Sequence, residues 1–200
     1  LCDALPTSPL EELIAVDIGM GVTGVTSLAK AISAGAALAR VSVLSNPIGT
    51  DGADALIEVF EQNTNLRTLL GIEEGVTELN LSEKNVDPGQ AKILAAELKA
   101  SRAVAVLNSL KVDSTGVMTD EYGNYGRGTQ KTYTLTVGEK AIDLSQKNLG
   151  RVDVTLVIVW MKRPEVSAAL EVVNVAFNKI GVEGGAALVE ALKTSNVKFL

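Results

Sequence analysis

Gly19-Met20-Gly21-Val22-Thr23-Gly24 is the first segment whose residue types suggest chemistry. A G-x-G-x-x-G turn after an apolar strand and before a helix can cradle a pyrophosphate, with an acidic residue about twenty positions on holding a ribose. The next apolar run, Val41-Ser42-Val43-Leu44, ends without that acid. Two carboxylate pairs, Glu11/Glu12 and Glu73/Glu74, could serve acid–base work, but sequence neighbours diverge in a strand or helix, and a hydrolase needs two carboxyls converging across a cleft. Asp120, Glu121 and Asn124 lack the alternating spacing of a calcium loop. The chain has no histidine, which excludes His-based triads, His ligands and His general bases. Its one cysteine, Cys2, excludes an internal disulfide and a thiolate zinc site. The expectation is a non-enzyme with no catalytic residues, no cofactor and no metal.

Charge and composition narrow the partners. Lys and Arg total 18 against 24 Asp and Glu, a net charge of −6, with no basic stripe interleaved with aromatics for nucleic acid. The longest apolar run, Leu156 to Met161, is far short of the ~20 residues that span a bilayer. Compartment stays open, with an intracellular or organellar setting favoured by the single unpaired cysteine. Aromatics make up 4% and the hydrophobic class 46%, so the core must be aliphatic.

The glycines of the tempting motif have another origin. Leu38, Val41, Val43, Asn46, Ile48, Gly49, Gly52, Ala55, Leu56 and Glu58 recur 132 residues later as Leu170, Val173, Val175, Asn178, Ile180, Gly181, Gly184, Ala187, Leu188 and Glu190. Shifted back by 28, the same skeleton reads Leu10, Leu13, Ala15, Met20, Gly21, Gly24 and Leu28, so Gly21 and Gly24 are repeat glycines. A third form, Leu79-x-Leu81-Ser82-x-Lys84-Asn85-Val86, returns after 63 residues as Ile142-x-Leu144-Ser145-x-Lys147-Asn148-Leu149. Each unit changes period midway. Alternation suits a short strand, and i, i+3, i+7 spacing (Ala53, Leu56, Phe60) suits a helix. Asn46 and Asn178 fall at the strand ends, where an amide can bond backbone groups left open by the turning chain. Such units cannot close a core singly but can when stacked.

These motifs resemble leucine-rich repeats of the ribonuclease-inhibitor type, closely over 38–66 and 170–198, moderately over 10–37, and in skeleton only over 76–106 and 139–169. The resemblance implies an α/β leucine-rich-repeat solenoid, a parallel sheet on the concave side and helices on the convex side, here with hairpin insertions. The expected organisation is a single domain over 1–200, a segment of a longer array. Its repeats lie near 10–37, 38–65, 76–106, 107–138 (irregular), 139–169 and 170–196. Both ends read as stopping inside a repeat.

Two departures from the repeat carry the candidate binding residues. Ten extra residues, Leu66 to Gly75, and the segment Thr132 to Gly138 each read as a strand and turn intruding at the strand edge. The longer insertion, Asp113 to Lys131, and its flank hold all three tyrosines, Tyr122, Tyr125 and Tyr133, together with Arg127. Tyr is favoured at contact surfaces, and insertions on a rigid scaffold are common binding sites. The second departure, Leu156-Val157-Ile158-Val159-Trp160-Met161, is too apolar for one helix to bury on its own unit. Either neighbouring helices take up the surplus, or a partner covers the convex side at Leu156 and Trp160. The positions expected on the concave face, among them Glu12, Ile14, Arg40, Ser42, Glu78, Asn80, Ser109 and Lys111, contain no aromatics. The functional expectation is a protein–protein interaction scaffold or a structural subunit of a large complex, its partners other proteins. The alternative is a regulatory repeat domain, GTPase-activator-like or sensor, of a multidomain protein.

Overall fold

The computed structural model describes residues 4–117, 130–193 and 197–199. They fall into two compact units, the described residues within 1–77 and 84–107, and those within 78–83 and 108–200.

In the first unit, a single 3-10 turn (Leu5–Thr7) precedes strand β1 (Glu12–Ile14), helix α1 (Val22–Ser33), strand β2 (Arg40–Ser42), helix α2 (Gly49–Gln62) and helix α3 (Pro88–Ala100). β1 and β2 pair in parallel with Leu13 opposite Val41. α1 packs on α2 and α2 on α3. The helical spacing read from sequence places Gly52, Ala53, Leu56, Val59 and Phe60 on the buried side of α2. α3 starts cleanly because Asp87 and Gln90 form a reciprocal capping box. Its second residue must be glycine, since a Cβ at Gly89 would lie 2.1 Å from the carbonyl oxygen of Gly49. Arg102 closes the far end of α2, donating to the carbonyls of Phe60, Asn63 and Leu66 at 2.6–2.9 Å while its guanidinium lies 4.2 Å from the centre of the Phe60 ring.

The second unit contains β3 (Glu78–Asn80), β4 (Ser109–Asp113), β5 (Thr132–Thr136), β6 (Ala141–Asp143), α4 (Arg151–Met161), the short α5 (Pro164–Ser167), β7 (Val172–Asn174), α6 (Gly181–Leu192) and β8 (Lys198–Phe199). β3 and β4 are parallel, and β5 lies antiparallel on the other side of β4. β6, β7 and β8 form a separate parallel sheet. α4 packs against α6 and α5.

This architecture corrects the leucine-rich-repeat solenoid expected from the resemblance. That fold needs one long parallel sheet, whereas the described residues form a mixed α/β structure with three separate small sheets of two, three and three strands. Two local causes are visible. Beyond β2 the backbone of residues 67–71 bonds that of residues 39–43, through the Arg67 and Gly71 N–H groups and the Thr68 and Leu69 carbonyls, but the pairing amounts to isolated bridges, Arg40 to Thr68 and Ser42 to Leu70, of opposite sense. The N–H groups of Leu69 and Leu70 turn to the carboxylate of Glu97, so the pairing here does not form a regular strand. In the second unit, the antiparallel β5 takes the edge of β4 that a parallel continuation would need.

The turns from strand to helix match the sequence reading in detail. The buried amide of Asn46 accepts from the N–H groups of Ile18 and Met20 at 3.1 and 2.8 Å. Its nitrogen reaches the carbonyls of Ala15, Val43 and Leu44 at 2.6–3.1 Å. Asn178 does the same with the Leu149 N–H and the carbonyls of Leu144, Val175 and Ala176, though half-buried. Buried amides left without partners cost about 1–3 kcal/mol each. Asn46→Ala is therefore expected to lower unfolding free energy by about 2–4 kcal/mol, and Asn178→Ala by about 1–2 kcal/mol because water can reach that site. Urea titrations of the two variants check the order, and equal losses would contradict it.

Candidate functional site

Titratable side chains buried in the two units are the natural place to look for chemistry. Glu97 lies on α3 at a core position and is almost wholly buried. Its Oε1 accepts from the N–H groups of Leu69 and Leu70 at 2.6 and 3.0 Å, and the Thr68 hydroxyl reaches both carboxylate oxygens at 3.0–3.1 Å. The same hydroxyl accepts from the N–H groups of Leu70 and Ile72. Glu97 and Thr68 thus satisfy the N–H groups of Leu69, Leu70 and Ile72, while the Thr68 and Leu69 carbonyls and the Gly71 N–H bond the backbone of residues 41–43. Burial pushes the Glu97 carboxyl up from 4.5 to about 7, against the pull of its donors and of Arg102.

In the second unit, Asp153 sits in the first turn of α4. Its Oδ2 accepts from the Gly150 and Thr115 N–H groups and the Thr115 hydroxyl at 2.7–2.8 Å, and its Oδ1 accepts from the Tyr133 hydroxyl at 3.0 Å. Burial raises the Asp153 carboxyl above its ordinary range, with those donors opposing. Burial, with the Asp153 charge beside it, raises Tyr133 well above 10. Both clusters anchor backbone, and their donors and acceptors face each other.

The surface carries other features. Arg40 on β2 donates to Glu12 at 2.5 Å and twice to the Gly71 carbonyl, so the Glu11/Glu12 segment contributes a surface ion pair. Glu74 pairs with Arg67 at 2.6 Å. Among the described residues no group of three His, Cys, Asp or Glu side chains is placed to hold a metal ion, and no helix is long and apolar enough to cross a membrane. The Gly19–Gly24 turn has two neighbouring N–H groups, those of Ile18 and Met20, already donating to Asn46. An open groove of about 540 Å³ runs between α1 and α2, floored by Ala29, Ala55 and Val59 and rimmed by Lys30, Glu58 and Gln62. Around β1 and the turn after it, Leu10, Ile14, Val16, Ile18 and Val22 are all exposed.

Of the residues singled out from sequence, Tyr122, Tyr125 and Arg127 lie outside the described residues, as do Asp120, Glu121 and Asn124. Tyr133, Leu156 and Trp160 are buried. Tyr133 anchors Asp153. Arg163 stacks over the Trp160 ring, 4.6 Å from its centre. Most of the surplus apolar side chains of α4 are taken up inside the protein: Val154, Leu156, Val157, Trp160 and Met161 are buried and Ile158 and Val159 half-buried, so Leu156 and Trp160 offer a partner no open contact. Sequence reading overlooked Glu97 and Asp153. Glu97 had a signal: it occupies the place of Trp160 in the unit 63 residues on, a core position. No family model matches the chain, and no curated protein matches it.

The raised Glu97 carboxyl ties stability to pH. Between pH 4.5 and about 7 the folded protein holds a proton that the unfolded chain has released, so stability falls as pH rises through that window. The span corresponds to about 3 kcal/mol in all. Glu97→Gln keeps an acceptor at Oε1 without the charge. It is expected to flatten this part of the pH profile and to make the protein more stable than the parent at pH 8, read from thermal midpoints between pH 4 and 8. A variant with the parent's slope would show that Glu97 is not the titrating group.

Proposed function

We propose that this chain is a non-enzymatic protein–protein interaction scaffold, a structural subunit of a larger assembly. The observation that supports this reading is the run of exposed aliphatic side chains on and around β1. Ile14 on the strand and Val16, Ile18 and Val22 in the turn and first helical residue face solvent, although their unit has a complete aliphatic core in which to bury such groups. Contiguous exposed apolar side chains on a folded surface mark contact with another protein. Polar neighbours flank them: Glu12 and Arg40 form an ion pair one step along the strands from Ile14. An apolar centre with a charged margin is the usual composition of a protein interface. The two buried carboxylates support the same reading, because Glu97 and Asp153 are held by backbone and hydroxyl donors. Neither meets the open groove between α1 and α2.

The test is a paired substitution, Ile14→Asp with Ile18→Asp. Both side chains are exposed, so the thermal midpoint should move by no more than about 2 °C, as for a surface change of about 0.5 kcal/mol or less. Co-purification with mass spectrometry from the source cell should lose specific proteins that the parent retains. Identical protein sets from parent and variant would refute an interface at this surface.

A further inference from the structure

Helices α2 and α3 end alike. After α2 the Asn63 N–H returns to the Val59 carbonyl, and after α3 the Ser101 N–H returns to the Glu97 carbonyl. Thr64 and Arg102 therefore hold the same place in successive repeats, the first beyond the cap. The segments leaving α1 and α2 also match. The Ala39 N–H bonds the Glu11 carbonyl as the Arg67 N–H bonds the Ala39 carbonyl, both at 2.7 Å. With that shift of 28, Ile32 and Gly35 stand where Phe60 and Asn63 stand one repeat later.

Arg102 fills the space between the ends of α2 and α3. It donates to the carbonyls of Phe60, Asn63 and Leu66 and stacks over the Phe60 ring. One repeat earlier, between the ends of α1 and α2, there is an open cavity of about 330 Å³. Ile32, Ser33 and Gly35 line it on one side, and Gln62, Asn63 and Thr64 on the other. Thr64 is too short to reach across, so the space that Arg102 fills in one repeat stays open in the other. α2 has a helix packed on each side, α1 and α3, so this cavity does not lie at an uncovered edge of its unit.

The chemistry of the walls favours a cation. Both α1 and α2 end at the cavity, and a helix C-terminus is the negative end of its dipole. The side-chain oxygens of Ser33, Gln62 and Thr64 make no hydrogen bond among the described residues, so they are open to a donor. Lys30 and Glu58 lie in the adjoining groove and do not line this cavity. α1 closes part of its own end through Gly35, at φ 107°. The Gly35 N–H returns to the Ile32 carbonyl and the Ala36 N–H to the Ala31 carbonyl, at 3.1 and 3.3 Å. A cation here therefore draws more on side-chain oxygens than Arg102 does, with Ile32 as its apolar floor in place of Phe60.

We propose that this cavity receives the guanidinium of an arginine side chain carried by a protein partner, held between the ends of α1 and α2 as Arg102 is held between those of α2 and α3. This inference rests on the reading of the chain as a scaffold and names a contact separate from the surface around β1. A planar guanidinium suits oxygens spread over two walls, whereas an ammonium is a compact, strongly hydrated point charge. The cavity is open, and a free small molecule would leave too much of its surface in water to be held well. An arginine on a partner arrives with the rest of its interface around it.

Three capped tripeptides test this, glycine-X-glycine with arginine, lysine or citrulline at X, followed by amide NMR shifts of the full chain. Citrulline keeps the shape of arginine without its charge. A single side chain binds weakly, with a dissociation constant of about 1 mM. The arginine peptide should shift the Gly35 and Thr64 amides saturably, at least about fivefold more tightly than the lysine peptide, and citrulline should leave them unmoved. Thr64→Arg supplies a guanidinium from within the chain. It should abolish the peptide's effect on Gly35 and raise the thermal midpoint by about 2–4 °C. Equal binding of arginine and lysine, saturable shifts with citrulline, or binding that survives Thr64→Arg would overturn the proposal. Methylguanidinium binding more tightly than the arginine peptide would overturn it in favour of a free guanidino compound. If the peptides fail while Ile14→Asp/Ile18→Asp still strips proteins from the chain, the scaffold reading stands without this cavity. If the peptides bind as stated and the β1 variant loses nothing, the cavity stands and the β1 surface falls.

Discussion

A three-residue strand that turns at once into a helix leaves backbone N–H and C=O groups with no ladder partners, and buried groups of that kind must find others. In this chain side chains supply them. Asn46 alone bonds backbone on two consecutive turns, tying the loop after β1 to the loop after β2. Asn178 does this for the turns after β6 and β7. Where the asparagine is missing, acids take its place. Asp87 accepts from the Gly49 N–H and caps its own helix, and Asp153 gathers the Gly150 and Thr115 N–H groups. The aliphatic core then fills a frame already fixed by these bonds, which is why strands of three residues suffice.

The same constraint explains what could be read from sequence. Local units were legible because their residues serve local geometry: the Asn at the strand end, the glycines at the helix start, the i, i+3, i+7 spacing of Ala53, Leu56 and Phe60. The assembly of those units was not. A repeat motif encodes how a strand and helix fold onto each other, and carries little about whether the next strand continues the same sheet. That depends on single residues outside the motif. Glu97 draws the N–H groups of Leu69 and Leu70 away from a ladder, and β5 closes the edge of β4 by antiparallel pairing. A long-range acceptor twenty-seven and twenty-eight residues from its donors leaves no periodic trace.

Trp160 and Tyr133 take core positions for a related reason. Trp160 and Tyr133 stood out by type, since large aromatics are frequent at interfaces, but in a chain this poor in aromatics they are also the largest available core fillers. Burial resolves the ambiguity, and it assigns both to the interior. The exposed apolar surface belongs to residues with unremarkable types: Ile14, Ile18, Val182 and Val189. An aliphatic residue at a helix or strand position reads as core by default. Only comparison with an equivalent position whose neighbours are known reveals one that is left uncovered.

Such a comparison exists inside this chain because its repeats are close copies that have diverged on one side. The positions of α2 and α6 that face α1 and α4 keep the same residue types, with Gly52 and Gly184, Ala55 and Ala187, and Leu56 and Leu188 identical. On the opposite side Ile48 and Ile180 are identical, but Thr50 and Val182, Asp54 and Ala186, Phe60 and Leu192, and Glu61 and Lys193 differ in size, charge or polarity. A face kept only for solubility would drift toward polar residues, because exposed valine gains nothing from water. Here the drift runs the other way at Thr50/Val182 and Asp54/Ala186, and an aromatic has entered a left-handed turn position that the other copies fill with polar side chains. The two copies thus agree at Gly52/Gly184, Ala55/Ala187 and Leu56/Leu188 on the side that packs against the preceding helix, and differ most where α3 covers α2.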